Sequence, residues 1–188
     1  MRTEAMHIAE GENADKYDAR RVYVNFKSGT ELASVLNTDR QEQFRAMSKP
    51  GVHGIEYGFI VQGVADEWDV HAILGISATR DPKKVAVGTI YVDPSYRNLG
   101  YGRTLLEQAR KYIPADKLLT SSYNIGSMAV RNWCSVARKH KEIHLVNSRG
   151  KKVYADFSGH MPLLYDDASE SYIRMDEDDN DYYFVWPK

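Results

Sequence analysis

The sequence is short of cysteine, and it has neither a long apolar run nor an apolar N-terminal segment. One cysteine, Cys134, leaves nothing for a disulfide framework or a cysteine-built zinc site. No apolar run approaches the ~20 residues that a membrane-crossing helix needs, so no membrane partner is expected. The opening MRTEAMHIAEGENADKYD is polar and acidic and lacks the apolar core of a secretion signal. Together these absences predict a reducing, cytoplasmic setting. The acidic run Asp176-Glu177-Asp178-Asp179-Asn180-Asp181 has neither the alternating ligands nor the central glycine of a calcium loop, so it reads as a solvated hairpin tip and no metal is expected.

What is present is globular. Hydrophobic residues make up 43% of the 188, which suits one domain with a real core. Residues 1–18 read as a polar lead-in and 19–188 as a single domain, with no repeat and no linker. The net charge of −1 hides an uneven spread. Between Arg97 and Lys152 twelve Lys and Arg face three acids, whereas from Val153 onward nine acids face Arg174 and Lys188. The basic middle suits an anionic ligand, a cofactor phosphate or a nucleic acid; solvated helix faces are the plainer explanation.

ARRVYVNF (19–26) alternates like a strand. Thr30 and Asp39 are placed to cap two short helices, near Glu31–Leu36 and in DRQEQFRAMS. Three strands follow, Ile55–Val64, Val70–Thr79 and Lys84–Val92, with links short enough to make them antiparallel. A helix beginning at Gly102 carries Leu105, Leu106, Ala109 and Tyr112 on one face. LLTSSYN (118–124) reads as a strand parallel to the one before that helix, which closes a β-α-β unit. A helix over 127–140 follows, then a hairpin around Ser148-Arg149-Gly150 and a last hairpin with the acidic tip.

The junction Val92-Asp93-Pro94-Ser95-Tyr96-Arg97-Asn98-Leu99-Gly100-Tyr101-Gly102 is the informative stretch. A helix N-terminus reached through glycines offers unpaired N–H groups and partial positive charge to a phosphate. It is not a nucleoside-triphosphate loop, because Arg97 stands where the opening glycine should be and Arg103 where the lysine should be. Nor is it a dinucleotide fingerprint, because Leu105 replaces the third glycine. The pattern V-x-P-x-x-R-x-x-G-x-G resembles the acyl-CoA-binding motif of the GNAT N-acetyltransferase superfamily. The element order over residues 19–188 is similar to that family too.

The resemblance implies an α/β (α+β) fold with a mixed, mostly antiparallel sheet, a central β-α-β acyl-CoA unit and helices on both faces. It implies acetyl-CoA, or another acyl-CoA, as co-substrate and an amine as acceptor. The pyrophosphate would rest on Asn98, Leu99, Gly100, Tyr101, Gly102, Arg103 and Thr104, with Arg97 and Arg103 supplying charge and Lys111 near the 3'-phosphate. The pantetheine arm would lie in a split beside Thr89, Ile90, Tyr91 and Val92, with Ser122, Tyr123 and Asn124 opposite. A backbone N–H near Tyr91 would face the thioester oxygen. Many relatives carry a proton-donating tyrosine in the helix after the fifth strand; Trp133 holds that place here, leaving Tyr123, Cys134 and Ser127 as substitutes. Glu56, Glu67, Asp69 and His71 are the general-base candidates, Glu56 and His71 foremost.

Arg138, Lys139, Lys141, Arg149, Lys151 and Lys152, with Tyr154, are compatible with a nucleic-acid acceptor. Thirteen tyrosines suit an interaction surface, hence a homo-oligomer or a larger assembly. The rival to an enzyme is therefore a catalytically silent GNAT-like fold used as a part of an assembly such as a virus particle.

Overall fold

The computed structural model describes residues 20–66, 68–122, 127–166, 171–175 and 182–187. Helix α1 (residues 20–27) is followed by an antiparallel meander: β1 (Thr30–Asn37), β2 (Glu42–Gly51), β3 (Gly54–Gly63), β4 (Val70–Ala78) and β5 (Lys84–Val92). A 3-10 turn, Pro94–Tyr96, leads into α2 (Tyr101–Tyr112), then β6 (Leu118–Ser121) and α3 (Ser127–Ala137). The remaining strands are β7 (His144–Asn147), β8 (Lys152–Val153), β9 (Ala155–Asp156), β10 (Leu163–Asp166), β11 (Ser171–Arg174) and β12 (Tyr182–Trp186).

Among the described residues one sheet runs β1-β2-β3-β4-β5-β6-β12-β7-β8, and a small one runs β11-β10-β9. Within the large sheet β5 and β6 are the parallel pair. The α2 crossover between them requires that direction, because a parallel neighbour cannot be reached by a hairpin.

Strand alternation assigns the two faces. Phe59, Val61, Leu74, Ile76, Val85 and Val87 point toward α2 and α3, joining Leu105, Leu106, Ala109 and Trp133 in the main core. Ile60 and Ile73, from the intervening positions, meet Tyr23 and Phe26 of α1 on the other face. Helices therefore cover both faces of a mixed, mostly antiparallel sheet. Each fully buried aliphatic or aromatic side chain contributes about 1.5–3 kcal/mol. No helix among the described residues is long and apolar enough to cross a membrane.

The front of the chain departs from the sequence expectation. From Arg20 onward ARRVYVNF is helical, not extended. Tyr23 and Phe26, three apart, are its buried residues, while Val24 is half exposed; the helical spacing outweighs the alternation. The two helices expected from Thr30 and Asp39 are instead β1 and β2, paired from Thr30↔Ser48 to Asn37↔Glu42. Cap residues alone do not make a helix when both neighbouring backbones offer a ladder, and β2 pairs along its whole length with β3 as well. The final hairpin also fails. β11 pairs with β10, whereas β12 inserts between β6 and β7. The acidic tip 176–181 lies outside the described residues.

Candidate acyl-CoA site

The site begins with a break in the sheet. β5 and β6 pair from Lys84↔Leu118 to Val87↔Ser121, where the register ends. β5 continues to Val92, still paired on its other side from Thr89↔Gly75 to Val92↔Ala72. A bulge falls at the parting point: Gly75 pairs with Thr89 and Ile76 with Val87, so Gly88 is the extra residue. A bulge bends its strand and increases its twist, so β5 is re-aimed where its described pairing with β6 stops. Residues 89–92 run past Ser121, the described end of β6, and stay paired with β4.

That segment leads to the α2 start. Asp93 caps the 3-10 turn by accepting from Ser95 N–H. Asn98 and Gly100 then adopt positive φ, 65° and 84°, which glycine tolerates at no cost and asparagine better than most. No side chain caps α2 and no acid occupies its first turn. Thr104 N–H is bonded to Gly100 O, 3.0 Å away; the N–H groups ahead of it belong to the set that a helix start leaves for a ligand.

A cavity of about 420 Å³ lies over this helix start, walled by α3. It is lined by Val92, Arg97, Asn98, Gly100, Tyr101, Gly102 and Arg103 on one side and Arg131, Asn132, Ser135 and Arg138 on the other. No carboxylate is among these lining residues. Arg138 is partly committed, because its guanidinium donates to Phe157 O and Gly159 O at 3.1 and 2.8 Å. Arg103 Nε is buried without a hydrogen-bond partner among the described residues. Four guanidinium groups, helix N–H groups and no carboxylate among the lining residues make this a cationic cavity suited to an anion.

Residues 30–130, more than half of the chain, match the model of the acetyltransferase (GNAT) family. The chain belongs to the GNAT acetyltransferase family. Among solved structures, a GNAT-family protein from Bacteroides thetaiotaomicron assigned as an acetyltransferase aligns at 16% identity with a TM-score of 0.36, covering 71% of this chain and 62% of its own length. Nourseothricin acetyltransferase aligns at 16% identity with a TM-score of 0.38, covering 82% of this chain and 96% of its own. No curated protein matches the sequence.

The residues singled out from the sequence do not all fall in one place. Leu99 and Thr104 line a second cavity, about 290 Å³, on the opposite side of Tyr101 from the basic one. Tyr91 is buried toward α1, Ile90 packs on the main core, and Lys111 sits in the last turn of α2. At 1.5 Å per residue that last turn is about 15 Å from the start of α2. Tyr123 and Asn124 lie outside the described residues, as do Glu67 and the side chain of Ser127.

Among the catalytic candidates, Cys134 is corrected to a core residue. It is fully buried, and burial pushes its thiol up to about 12, too weak an acid to protonate a leaving thiolate. Trp133 is likewise core, stacked on Phe184 at 5.4 Å. His71 is also corrected. It lies near the start of β4, opposite Asp93. Both of its ring nitrogens face carboxylates, Glu42 Oε1 at 2.9 Å and Asp69 Oδ2 at 3.0 Å. Glu56 shares a cavity of about 620 Å³ with Gly88 and Thr89 of the bulge, beneath α1. Its Oε2 is 3.5 Å from Lys49 Nζ. Arg131 and Asn132 were not anticipated as lining; the seven-residue interval from Arg131 to Arg138, two helical turns, was the available signal.

Proposed function

We propose that this GNAT-family domain, residues 19–188, transfers an acyl group from acyl-CoA, acetyl-CoA in the first instance, directly to an amine of a small molecule, peptide or protein. The observation that carries the reading is the end of the described β5–β6 pairing at Val87↔Ser121, beside the Gly88 bulge, on a strand that leads through a 3-10 turn to an uncapped helix start faced by arginines. Strand backbone, helix N-terminus and cationic wall lie in the order that an amide-bearing arm followed by a diphosphate requires.

Acyl-CoA supplies the acyl group already activated as a thioester. The chain's own residues do the rest. The amides of 98–103, with Arg97, Arg103 and Arg131, hold the diphosphate. The β5 segment Thr89–Val92, past the described end of β6, offers backbone donors and acceptors to the arm, and an N–H near Tyr91 faces the position where negative charge develops. Glu56, in the cavity that reaches the bulge from the α1 side, is assigned to carry the amine proton away from the reacting centre through a chain of waters. Acceptor and donor thus approach from opposite faces of the sheet. Charge on Arg138, Lys141 and Lys152 leaves a nucleic-acid-bound amine within the acceptor range, and a cytoplasmic setting fits the free, buried thiol of Cys134.

A thermal-denaturation titration with acetyl-CoA tests the binding half. At one hundred times the dissociation constant the expected stabilisation is about 2.7 kcal/mol. Release of free thiol across a panel of amines tests the transfer half. Binding without thiol release would assign the chain to the silent, assembly-type alternative, which the buried Trp133 and Cys134 favour. The absence of any shift with acetyl-CoA or longer acyl-CoAs would overturn the reading.

A further inference from the structure

The basic cavity explains what the phosphate loop faces but not what holds the loop still. Between Arg97 and Gly102 the backbone passes two positive-φ residues and a leucine that is 57% exposed, with glycines on both sides of Tyr101. Such a segment has much conformational freedom to lose. Its two ends are nevertheless seated on the same buried group. Before the loop, Tyr96 stacks on the His71 ring, with centroids 3.8 Å apart and planes at 16°. After it, the Tyr101 hydroxyl donates to Glu42 Oε1, the atom that His71 Nδ1 also faces. The edge of Tyr101 meets Tyr96 at 6.2 Å and 80°.

We propose that Glu42 and His71 are positioning residues that fix the acyl-CoA phosphate loop, clamping it from behind through Tyr101 at one end and Tyr96 at the other. The inference rests on the acyl-CoA reading of that loop. Its backbone device is visible. In the β3–β4 ladder Val61 pairs with Ala72 and Gln62 with Val70, so His71 is the unpaired residue of a second bulge, a feature that re-aims a side chain. Glu42, only 6% exposed, is the first residue of β2. Carboxylates accept only, so one oxygen of Glu42 takes the Tyr101 hydroxyl and faces the imidazole as well. In so little-exposed a place such a hydrogen bond counts for more than it would in water. Glu42, His71 and Asp69 do not gather as a metal-binding group. An apolar plug of equal volume would fill the space but set no direction for Tyr101.

Tyr101→Phe removes one oxygen atom and leaves the ring packing. In the full chain, hydrogen–deuterium exchange at the amides of 98–104 should quicken roughly tenfold or more, the equivalent of one lost bond to a buried charge. The KM for acetyl-CoA should rise by a similar factor while the KM for the amine stays put, a split that general destabilisation does not produce. Glu42→Gln should act in the same direction, and the double variant should be no worse than the poorer single one, because both cut the same link. Unchanged exchange and unchanged acetyl-CoA KM in Tyr101→Phe would overturn the proposal, whatever happens to the melting temperature. If the wild-type chain binds no acyl-CoA, the functional reading falls, yet the exchange measurement still decides whether the clamp exists. Should Glu42→Gln not fold, Tyr101→Phe carries the test alone.

Discussion

Gly102→Ala separates the binding role of the loop from its folding role. A methyl group at this position would lie 2.5 Å from Asn132 Nδ2 and 2.6 Å from its Cγ and Oδ1. The obstacle is the end of one side chain and not the α3 backbone, so Asn132 can swing aside into the basic cavity it already lines. Two opposing terms decide stability. Replacing glycine by alanine in a helix gains up to about 1 kcal/mol, and forcing a methyl into a packed contact costs about 1–3 kcal/mol. Because the contact can be relieved, the net change should be a loss of no more than about 2 kcal/mol. Binding fares worse, since the new methyl and the displaced amide both intrude where the diphosphate must meet the helix N–H groups. A tenfold or greater rise in the acetyl-CoA dissociation constant, about 1.4 kcal/mol, is expected by calorimetric titration. Gly100→Ala is the counterpart. Its methyl would have room, with Arg103 Nη2 the nearest atom at 3.7 Å, but φ is +84°. That conformation costs a non-glycine residue about 1–2 kcal/mol, so stability should fall although nothing opposes the methyl sterically. Wild-type affinity in Gly102→Ala would refute the reasoning, because the ligand would then not approach that face.

Three further outcomes are expected. Arg103→Gln and Arg131→Gln should each weaken acetyl-CoA binding several-fold at low salt and flatten its ionic-strength dependence, measured by titration between low and high salt. Glu56→Gln should lower turnover by roughly a hundredfold or more with little change in the acetyl-CoA dissociation constant; equal loss in both would make Glu56 a binding residue only. Cys134 should resist alkylation in the native state and react at the rate of unfolding. Its folded pKa of about 12 lies above the unfolded value of 9.0. The unfolded chain therefore loses this proton first, and the stabilisation, complete below pH 9, should decline as pH rises from 9 toward 12. An alkaline denaturation series on wild type and Cys134→Ala reads that contribution.

The motif of the phosphate loop could be read because its requirements are local. A helix start that faces an anion needs glycines and basic residues at fixed chain positions, and Arg97, Gly100, Gly102 and Arg103 display them without reference to the rest of the chain. β5 was legible for the same reason, bounded by a Pro-containing turn at each end. α1, β1 and β2 were not, because their state is set by the ladders and faces they join and not by their own residue types. The exposed face of β1 offers no hydrophobic period of its own, and Thr30 and Asp39 look like caps until β3 supplies a ladder for β2.

The catalytic side was harder still, for a geometric reason. Whether Glu56 or His71 approaches the reacting atoms depends on which face of the sheet each occupies and how far along β5 it sits. One bulge shifts both, and this sheet has one at Gly88 and another at His71. A bulge has no sequence signature beyond a glycine that could equally mark a turn, and at His71 not even that. The second bulge turns His71, which looked like a base poised beside an acceptor, toward Glu42, Asp69 and Tyr96 behind the loop. The first places Glu56, an unremarkable strand residue paired with Lys49, in the cavity that opens on the strand split. Sequence types therefore identified the chemistry available to this domain, while two inserted residues decided which carboxylate and which imidazole could use it.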